Sequence, residues 1–373
     1  MDKRKPTLET MGLIIDNQTP IASSKFWKNK TVLVTGHTGF KGSWLCLWLL
    51  QLGAKVVGYS LPPSPGSLYE NLNLPSCITD NHYGDIRDFS ALSSWVSFIK
   101  PDIVFHLAAQ PLVRYSYNYP RETWEVNVSG TVNLLESVRL IENKCAVVVI
   151  ATDKVYLNKE WQYGYRELDP LGGYDPYSSS KAAVEIAVDS WRSSFMTSSS
   201  RSNKCHLASA RAGNVIGGGD WAQDRIIPDL VRAFQQSKPL IVRNPLATRP
   251  WQHVLDPLNG YLSLAQQLYQ SPSFAQAYNF GPLPSSQRNV ADLVTAASSI
   301  IPINFSFLEI ESSLHEATLL HLSIDKAVHD LSWSPKWDFT TTISKTINWY
   351  KAVLEGSLSQ HEACLNDLIA FSS

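Results

Sequence analysis

The chain predicts an α/β fold: a doubly wound parallel sheet with helices on both faces and a smaller mixed α/β lobe. Three observations carry that expectation. Short β-branched or apolar runs at 30–35, 55–59, 102–108 and 146–152 alternate with helix-length patterns at 44–52, 125–141 and 176–191, and strands spaced this way are joined by right-handed crossovers that cover both sheet faces. Glycines at 36, 39 and 42 follow the first strand directly and open the first helix. Beyond residue 211 the alternation becomes less regular, as a second lobe requires.

The run at 30–35 stops at Gly36, and the apolar helix at 44–52 ends at Gly53, a good helix terminator. A second strand at 55–59 is followed by a Pro/Ser/Gly-rich stretch, 62–67, that breaks periodicity before Asp85. Strands at 102–108 and 146–152 and helices at 125–141 and 176–191 complete the first half, and the Ser/Arg-rich stretch 194–204 reads as a surface loop. In the second half come a glycine triplet at 217–219, a helix near 226–235, a short strand at 277–280, and Trp333, Pro335 and Trp337 ahead of a C-terminal helix. The expected division is a flexible extension at 1–25 and a Rossmann-type dinucleotide domain at 26–210. A substrate-binding lobe at 211–355, with segments returning to the sheet, and a tail at 356–373 complete it.

With 373 residues, 44% of them hydrophobic and 17% charged, the chain can bury a full core. Its 32 basic and 33 acidic residues leave a formal charge of -1. That excludes a global field for nucleic acid or an anionic membrane, so any anion must be held locally. The apolar runs fall short of the roughly 20 residues a spanning helix needs. The first 24 residues carry charges and lack a secretion signal's apolar core, which gives the expectation of a cytoplasmic protein. The five cysteines, at 46, 77, 145, 205 and 364, have no metal-binding spacing. Reduced buried thiols and no metal site are expected.

Gly36-His37-Thr38-Gly39-Phe40-Lys41-Gly42 sits where a dinucleotide pyrophosphate needs a tight turn, a close backbone and a helix N-terminus. The second strand ends Val56-Val57-Gly58-Tyr59-Ser60, without the usual ribose-binding carboxylate and also without Lys or Arg. This leaves NAD against NADP open at that strand, with a 2′-phosphate disfavoured. Leu107-Ala108-Ala109-Gln110 brings small side chains that let backbone approach a cofactor, and Asn127 either bridges elements or is a structural amide.

Tyr177 and Lys181 are four residues apart, on one helix face. A phenol of pKa about 10 needs about 4 kcal/mol of differential stabilisation to fall by about 3 units, and the Lys181 ammonium is expected to supply much of it. Thr152, which ends a strand, is followed by Asp153 and Lys154, adjacent opposite charges that on an anonymous loop would be a solvated pair.

The spacing GxxGxxG resembles that of the extended short-chain dehydrogenase/reductase superfamily. Together with Thr152-Asp153-Lys154, Tyr177-Ser178-Ser179-Ser180-Lys181, the stretch from Arg211-Ala212-Gly213-Asn214 to Gly219-Asp220-Trp221, and Arg249-Pro250-Trp251-Gln252-His253-Val254, it resembles the CDP-glucose 4,6-dehydratase family over residues 26–350. The resemblance implies NAD as a recycled cofactor and conversion of CDP-glucose to CDP-4-keto-6-deoxyglucose and water. It gives Asp85-Ile86 to the adenine end, and Tyr177, Lys181 and Thr152 to oxidation at C4. Asp153 becomes the acid at O6. Lys154 stands where the deoxythymidine and guanosine relatives have Glu, and is expected to form a coupled dyad with Asp153. Asn214 and Arg249 fall to the substrate diphosphate, and Arg211 either to substrate or to a structural ion pair. Trp221, Trp251 and His253 read mainly as packing. A homodimer or homotetramer with a small-molecule substrate is implied. A nucleotide-sugar 4-epimerase, or a dehydratase of another nucleotide-hexose, stays open as the alternative.

Overall fold

The computed structural model describes residues 24–196, 204–242, 244–307 and 319–373. Most of the 1–25 extension and the 197–203 part of the expected surface loop lie outside them. Seven parallel strands form the main sheet: β1 (Thr31–Thr35), β2 (Lys55–Ser60), β3 (Asp80–Tyr83), β4 (Ile103–His106), β5 (Cys145–Thr152), β6 (Cys205–Ala212) and β7 (Ala277–Phe280). Their order is β7-β6-β5-β4-β1-β2-β3. The order reverses between β1 and β4, and a sheet of this kind opens its ligand crevice at that point, beyond the strands' C-terminal ends.

Burial on both faces explains the near-continuous apolar strands. All eight residues of β5 are buried, and they pair with β6 from Cys145↔Cys205 to Thr152↔Ala212. On one side lie α1 (Phe40–Gln51) and, from the second half of the chain, α2 (Leu255–Gln270). Their Trp44, Leu45, Leu49, Leu258, Leu262 and Ala265 share a core with Val32, Val34, Phe105 and Val148. The opposite face packs Leu134, Leu135, Val138, Val184 and Val188 against Leu33, Val104, Val147 and Val149.

The expected helix at 125–141 has a physical subtlety. Glu125–Ser129 is one π-helical turn before the α-helix Gly130–Arg139. Such a turn commonly marks a functional segment, and here it carries Asn127.

The second half returns β7 to the main sheet beside β6. Its glycine triplet is a packing device: a Cβ on Gly218 would lie 2.0 Å from Trp349. The Gly218 carbonyl accepts from Trp44 Nε1 at 2.9 Å, and Tyr350 donates its hydroxyl proton to the Asp220 carbonyl at 2.6 Å. The segment expected as a tail carries a 13-residue helix, Gln360–Ser372, whose Ser359 and Glu362 form a capping box. Its Phe371 meets Trp48 and Trp337 edge-on. Cys46, Cys145, Cys205 and Cys364 are buried free thiols, while Cys77 is exposed. Among the described residues no helix is long and apolar enough to cross a membrane.

Candidate active site

A cleft of about 1570 Å³ lies over the switch point. It exceeds the roughly 300–1,000 Å³ of a single small-ligand pocket, so it has room for two ligands together. One wall is the loop between β1 and α1. Gly36 takes φ +71, and a Cβ there would lie 2.7 Å from the Ala108 nitrogen; one on Gly42 would lie 2.3 Å from the Gly36 carbonyl oxygen. Gly39 caps α1 without any side-chain hydrogen bond, which leaves the helix's first amides to a ligand.

Gly36, Thr38, Gly39, Phe40, Lys41 and Gly42 all line the cleft, but His37 does not. His37 is fully buried, edge-on to Tyr69, and packed where a Gly58 side chain would otherwise be. Burial holds its pKa down to about 4. Its place in the motif is that of a packing residue.

Thr38 Oγ1 and Ser60 Oγ are hydrogen-bonded at 2.8 Å at the end of β2, where a carboxylate was absent from the sequence. Asp85, Ile86, Leu107, Ala108 and Ala109 line the same side. The Asp85 carboxylate is held by Arg87, from Nε at 3.0 Å and Nη2 at 2.6 Å. Gln110 and Asn127 stand behind the wall. The Asn127 amide accepts from Gln110 N at 2.8 Å and donates to Gln110 O at 3.2 Å and to Ser180 Oγ at 2.9 Å. It thus ties the loop after β4 to the helix Pro176–Ser194, and the bridging expectation is what the geometry shows.

That helix starts at Asp175, whose carboxylate accepts from Ser178 N at 2.9 Å and Ser178 Oγ at 2.6 Å. One turn on, Tyr177 and Lys181 both face the cleft beside Thr152, Asp153 and Lys154. Thr152 donates to Asp153 Oδ1 at 2.9 Å. Asp153 is 1% exposed, and among the described residues its Oδ2 has no hydrogen-bond partner. This rules out the solvated-pair reading. No ion pair joins Asp153 to Lys154 among the described residues, although both line the cleft.

The phenol differs from expectation as well. Burial pushes Tyr177 up to about 12, reinforced by the Asp153 charge and opposed by Thr152 and Arg225. Lys181 instead donates to the Ile150 carbonyl at 3.1 Å, and burial brings it down to about 8. Desolvation therefore governs the phenol, where the sequence reading relied on the Lys181 cation.

The opposite wall belongs to the lobe. Asn214, Arg249 and Arg225 line it, with Arg225 held to Asp220 at 2.9 Å. Arg211 does not line the cleft. It is 4% exposed, donates to Glu185 Oε2 at 2.8 Å, to the Tyr156 hydroxyl at 2.8 Å and to the Glu167 carbonyl at 3.0 Å. Its substrate-binding assignment gives way to the buried ion pair. Trp251 is 4% exposed with its indole N–H on the Arg288 carbonyl, and His253 lies edge-on to Trp44 and Trp337, so both pack the core. Arg225 was missed by sequence reasoning, whereas Lys41 belongs to the loop already given to the cofactor. Lone cations carry no spacing signal, and only the fold turns them inward.

A sheet with this strand order, whose cleft is shared by a dinucleotide loop and a second lobe, is that of an extended short-chain dehydrogenase/reductase. The family follows from comparison: residues 33–346 match the GDP-mannose 4,6 dehydratase family, and the chain belongs to it. The CDP-glucose 4,6-dehydratase of Salmonella typhimurium is 48% identical over 335 residues, spanning 89% of this chain and 93% of that protein. The human dTDP-D-glucose 4,6-dehydratase is 26% identical, over 86% and 90% of the two chains. Among solved structures, a UDP-glucose 4-epimerase of Stenotrophomonas maltophila superposes with a TM-score of 0.76 over 88% of this chain and 100% of that one, at 21% identity. The dTDP-glucose 4,6-dehydratase of Bacillus anthracis in complex with NAD gives 0.72 over 87% and 98%, also at 21%. The structural likenesses speak for the fold alone.

Proposed function

We propose that the chain is an NAD-dependent 4,6-dehydratase that converts CDP-glucose to CDP-4-keto-6-deoxyglucose and water. The glycine cradle fits the cofactor, since a side chain at Gly36 or Gly42 would fill the space the loop keeps open against Ala108 and its own backbone. Bound there, NAD supplies the hydride acceptor for C4 and the donor for C6. Everything else falls to the chain's own groups. Tyr177 takes the proton of the sugar 4-hydroxyl, with Thr152 orienting that hydroxyl and Lys181 supplying positive charge nearby. The resulting ketone acidifies the C5 hydrogen; that proton passes to water as the 6-hydroxyl, protonated by Asp153, departs as water, which completes the elimination.

Asp153 is the acid that protonates the leaving 6-hydroxyl. Lys154, which lines the cleft beside it, stabilises the enolate oxygen as it forms. Asn214 and Arg249 hold the substrate diphosphate. In this reading the enzyme is cytoplasmic and works as a homodimer or homotetramer.

Asp153 carries dehydration over epimerisation. A carboxylate sealed from solvent, with one oxygen spoken for by Thr152 and the other without a partner, is costly to bury and is of no use to an enzyme that only oxidises and re-reduces C4. The 48% likeness to a CDP-glucose 4,6-dehydratase supports the donor. Incubation with a panel of nucleotide-glucose donors and NAD, followed by the alkaline ultraviolet absorbance of a 4-keto sugar, tests both points. Signal with the CDP donor is expected; signal confined to another nucleotide would refute the donor assignment.

A further inference from the structure

The buried imidazole of His106 takes no part in the chemistry above, yet both of its ring nitrogens are engaged. It ends β4 with Nδ1 at 2.7 Å from Thr35 Oγ1 and Nε2 at 3.0 Å from Thr131 Oγ1. Burial and the nearby Lys181 ammonium hold its pKa down to about 3, so the ring is neutral and carries one N–H. The neighbours decide which nitrogen bears it. Thr131 gives its single hydroxyl proton to the Asn127 carbonyl at 2.6 Å, so it accepts from His106 and the imidazole proton sits on Nε2. Nδ1 then accepts from Thr35, whose oxygen in turn accepts from the Ala108 amide at 3.3 Å.

A threonine hydroxyl on the carbonyl four residues back is a bond that bends helices. Here it falls where the π-helical turn Glu125–Ser129 meets the α-helix Gly130–Arg139. The same turn presents the Asn127 amide, which donates to Ser180 Oγ at 2.9 Å, and Ser180 donates to the Tyr177 carbonyl at 2.7 Å. Buried hydrogen bonds of fixed direction thus run from β1 and β4 to the first turn of the helix Pro176–Ser194. We propose that His106 is a positioning residue for the reaction: as its neutral Nε2–H tautomer it locks the π-helical turn through Thr131, and so holds Tyr177 and Lys181 in their working placement. The inference rests on the C4 oxidation proposed above. A leucine in its place would leave the Thr35 and Thr131 hydroxyls each short of a buried partner.

The test compares the wild-type chain with His106→Leu, His106→Gln, Thr131→Val and the double variant His106→Leu/Thr131→Val. The readouts are kcat and KM for CDP-glucose, melting temperature, and amide hydrogen exchange of the NAD-loaded protein by mass spectrometry. His106→Leu should lose about 10–10²-fold in kcat with KM nearly unchanged, as a small misplacement of reacting groups does. Exchange should quicken in both 125–131 and 176–181 while α2 keeps its protection. His106→Gln, which can offer an amide N–H to Thr131, should recover most of kcat. The double variant should be no slower than the slower single one, because both act through one link. If His106→Leu does not fold, Thr131→Val carries the same expectation. A lowered melting temperature with kcat of the folded enzyme unchanged would make His106 a core residue only and overturn the proposal. So would losses that multiply in the double variant, a loss confined to KM, quickened exchange that stops at 131, or a nitrogen NMR spectrum placing the imidazole proton on Nδ1. If the wild type leaves CDP-glucose unreacted, the proposed reaction fails, and the exchange pattern alone decides whether His106 positions this helix.

Discussion

Tyr177 and Lys181 show how two neighbours answer the same desolvation in opposite directions. Burial disfavours the charged form of each, so the phenol rises to about 12 and the amine falls to about 8. The pair is thus set for a ligand that brings charge and polar contacts to it. Tyr177→Phe should lower kcat by about 10²–10⁴-fold, the usual worth of a positioned acid or base, while NADH and CDP bind as before; initial rates and titrations check this, and a loss confined to KM would contradict it. Their i, i+4 spacing was legible in the sequence, as were Thr152 and Asp153 at a strand end. Arg211 was not. Its guanidinium points away from the cleft because its partner Glu185 lies on another element, and pairing across elements leaves no local trace. No ion pair joins Asp153 and Lys154 among the described residues, because adjacency in sequence says nothing about which way a tight turn sends each side chain.

Among the elements, α2 places a carboxylate under unusual stress. Asp256, in its first turn, is fully buried and accepts from Lys336 N at 2.6 Å. It thereby ties the segment before the helix Phe339–Leu354 to the core. Burial raises it to about 7, against the backbone amides that favour its charge. The folded chain therefore binds this proton more tightly than the unfolded one. Its contribution to stability is full below the unfolded pKa of about 4 and falls as pH rises through about 7. Asp256→Asn keeps an acceptor for Lys336 N and removes the ionisation. Its melting temperature should hold flatter than the wild type's between pH 5 and 8, as calorimetry would show; parallel curves would contradict this origin. Strand and helix positions were readable from periodicity, with Ile226–Gln235 and Ala277–Phe280 falling where the sequence placed them. The helix Gln360–Ser372 was missed because short apolar spacings near a chain end resemble a tail until Trp48 and Trp337 are seen to need Phe371.

At the scale of the whole molecule, the strand order opens a crevice, the glycine loop forms one wall, and the lobe, clamped by Trp44, Trp349 and Tyr350 onto the glycine triplet, forms the other. Neither wall holds the full constellation alone: Asp153, Tyr177 and Lys181 come from the sheet half, and Asn214, Arg225 and Arg249 from beyond it. The sheet was legible because strands buried on both faces leave strong apolar runs. The lobe's contribution was legible only where residues sat inside a recognisable motif, and Arg225, outside any motif, emerged from the fold. What the assembled cleft is claimed to do is move one hydrogen within a single sugar. The most direct measurement is turnover of CDP-glucose carrying deuterium at C4, with the product read by mass spectrometry and NMR. The account expects a product lighter by one water, with the deuterium at C6. A product of unchanged mass with the label still at C4, or deuterium accumulating in free reduced cofactor, would contradict it.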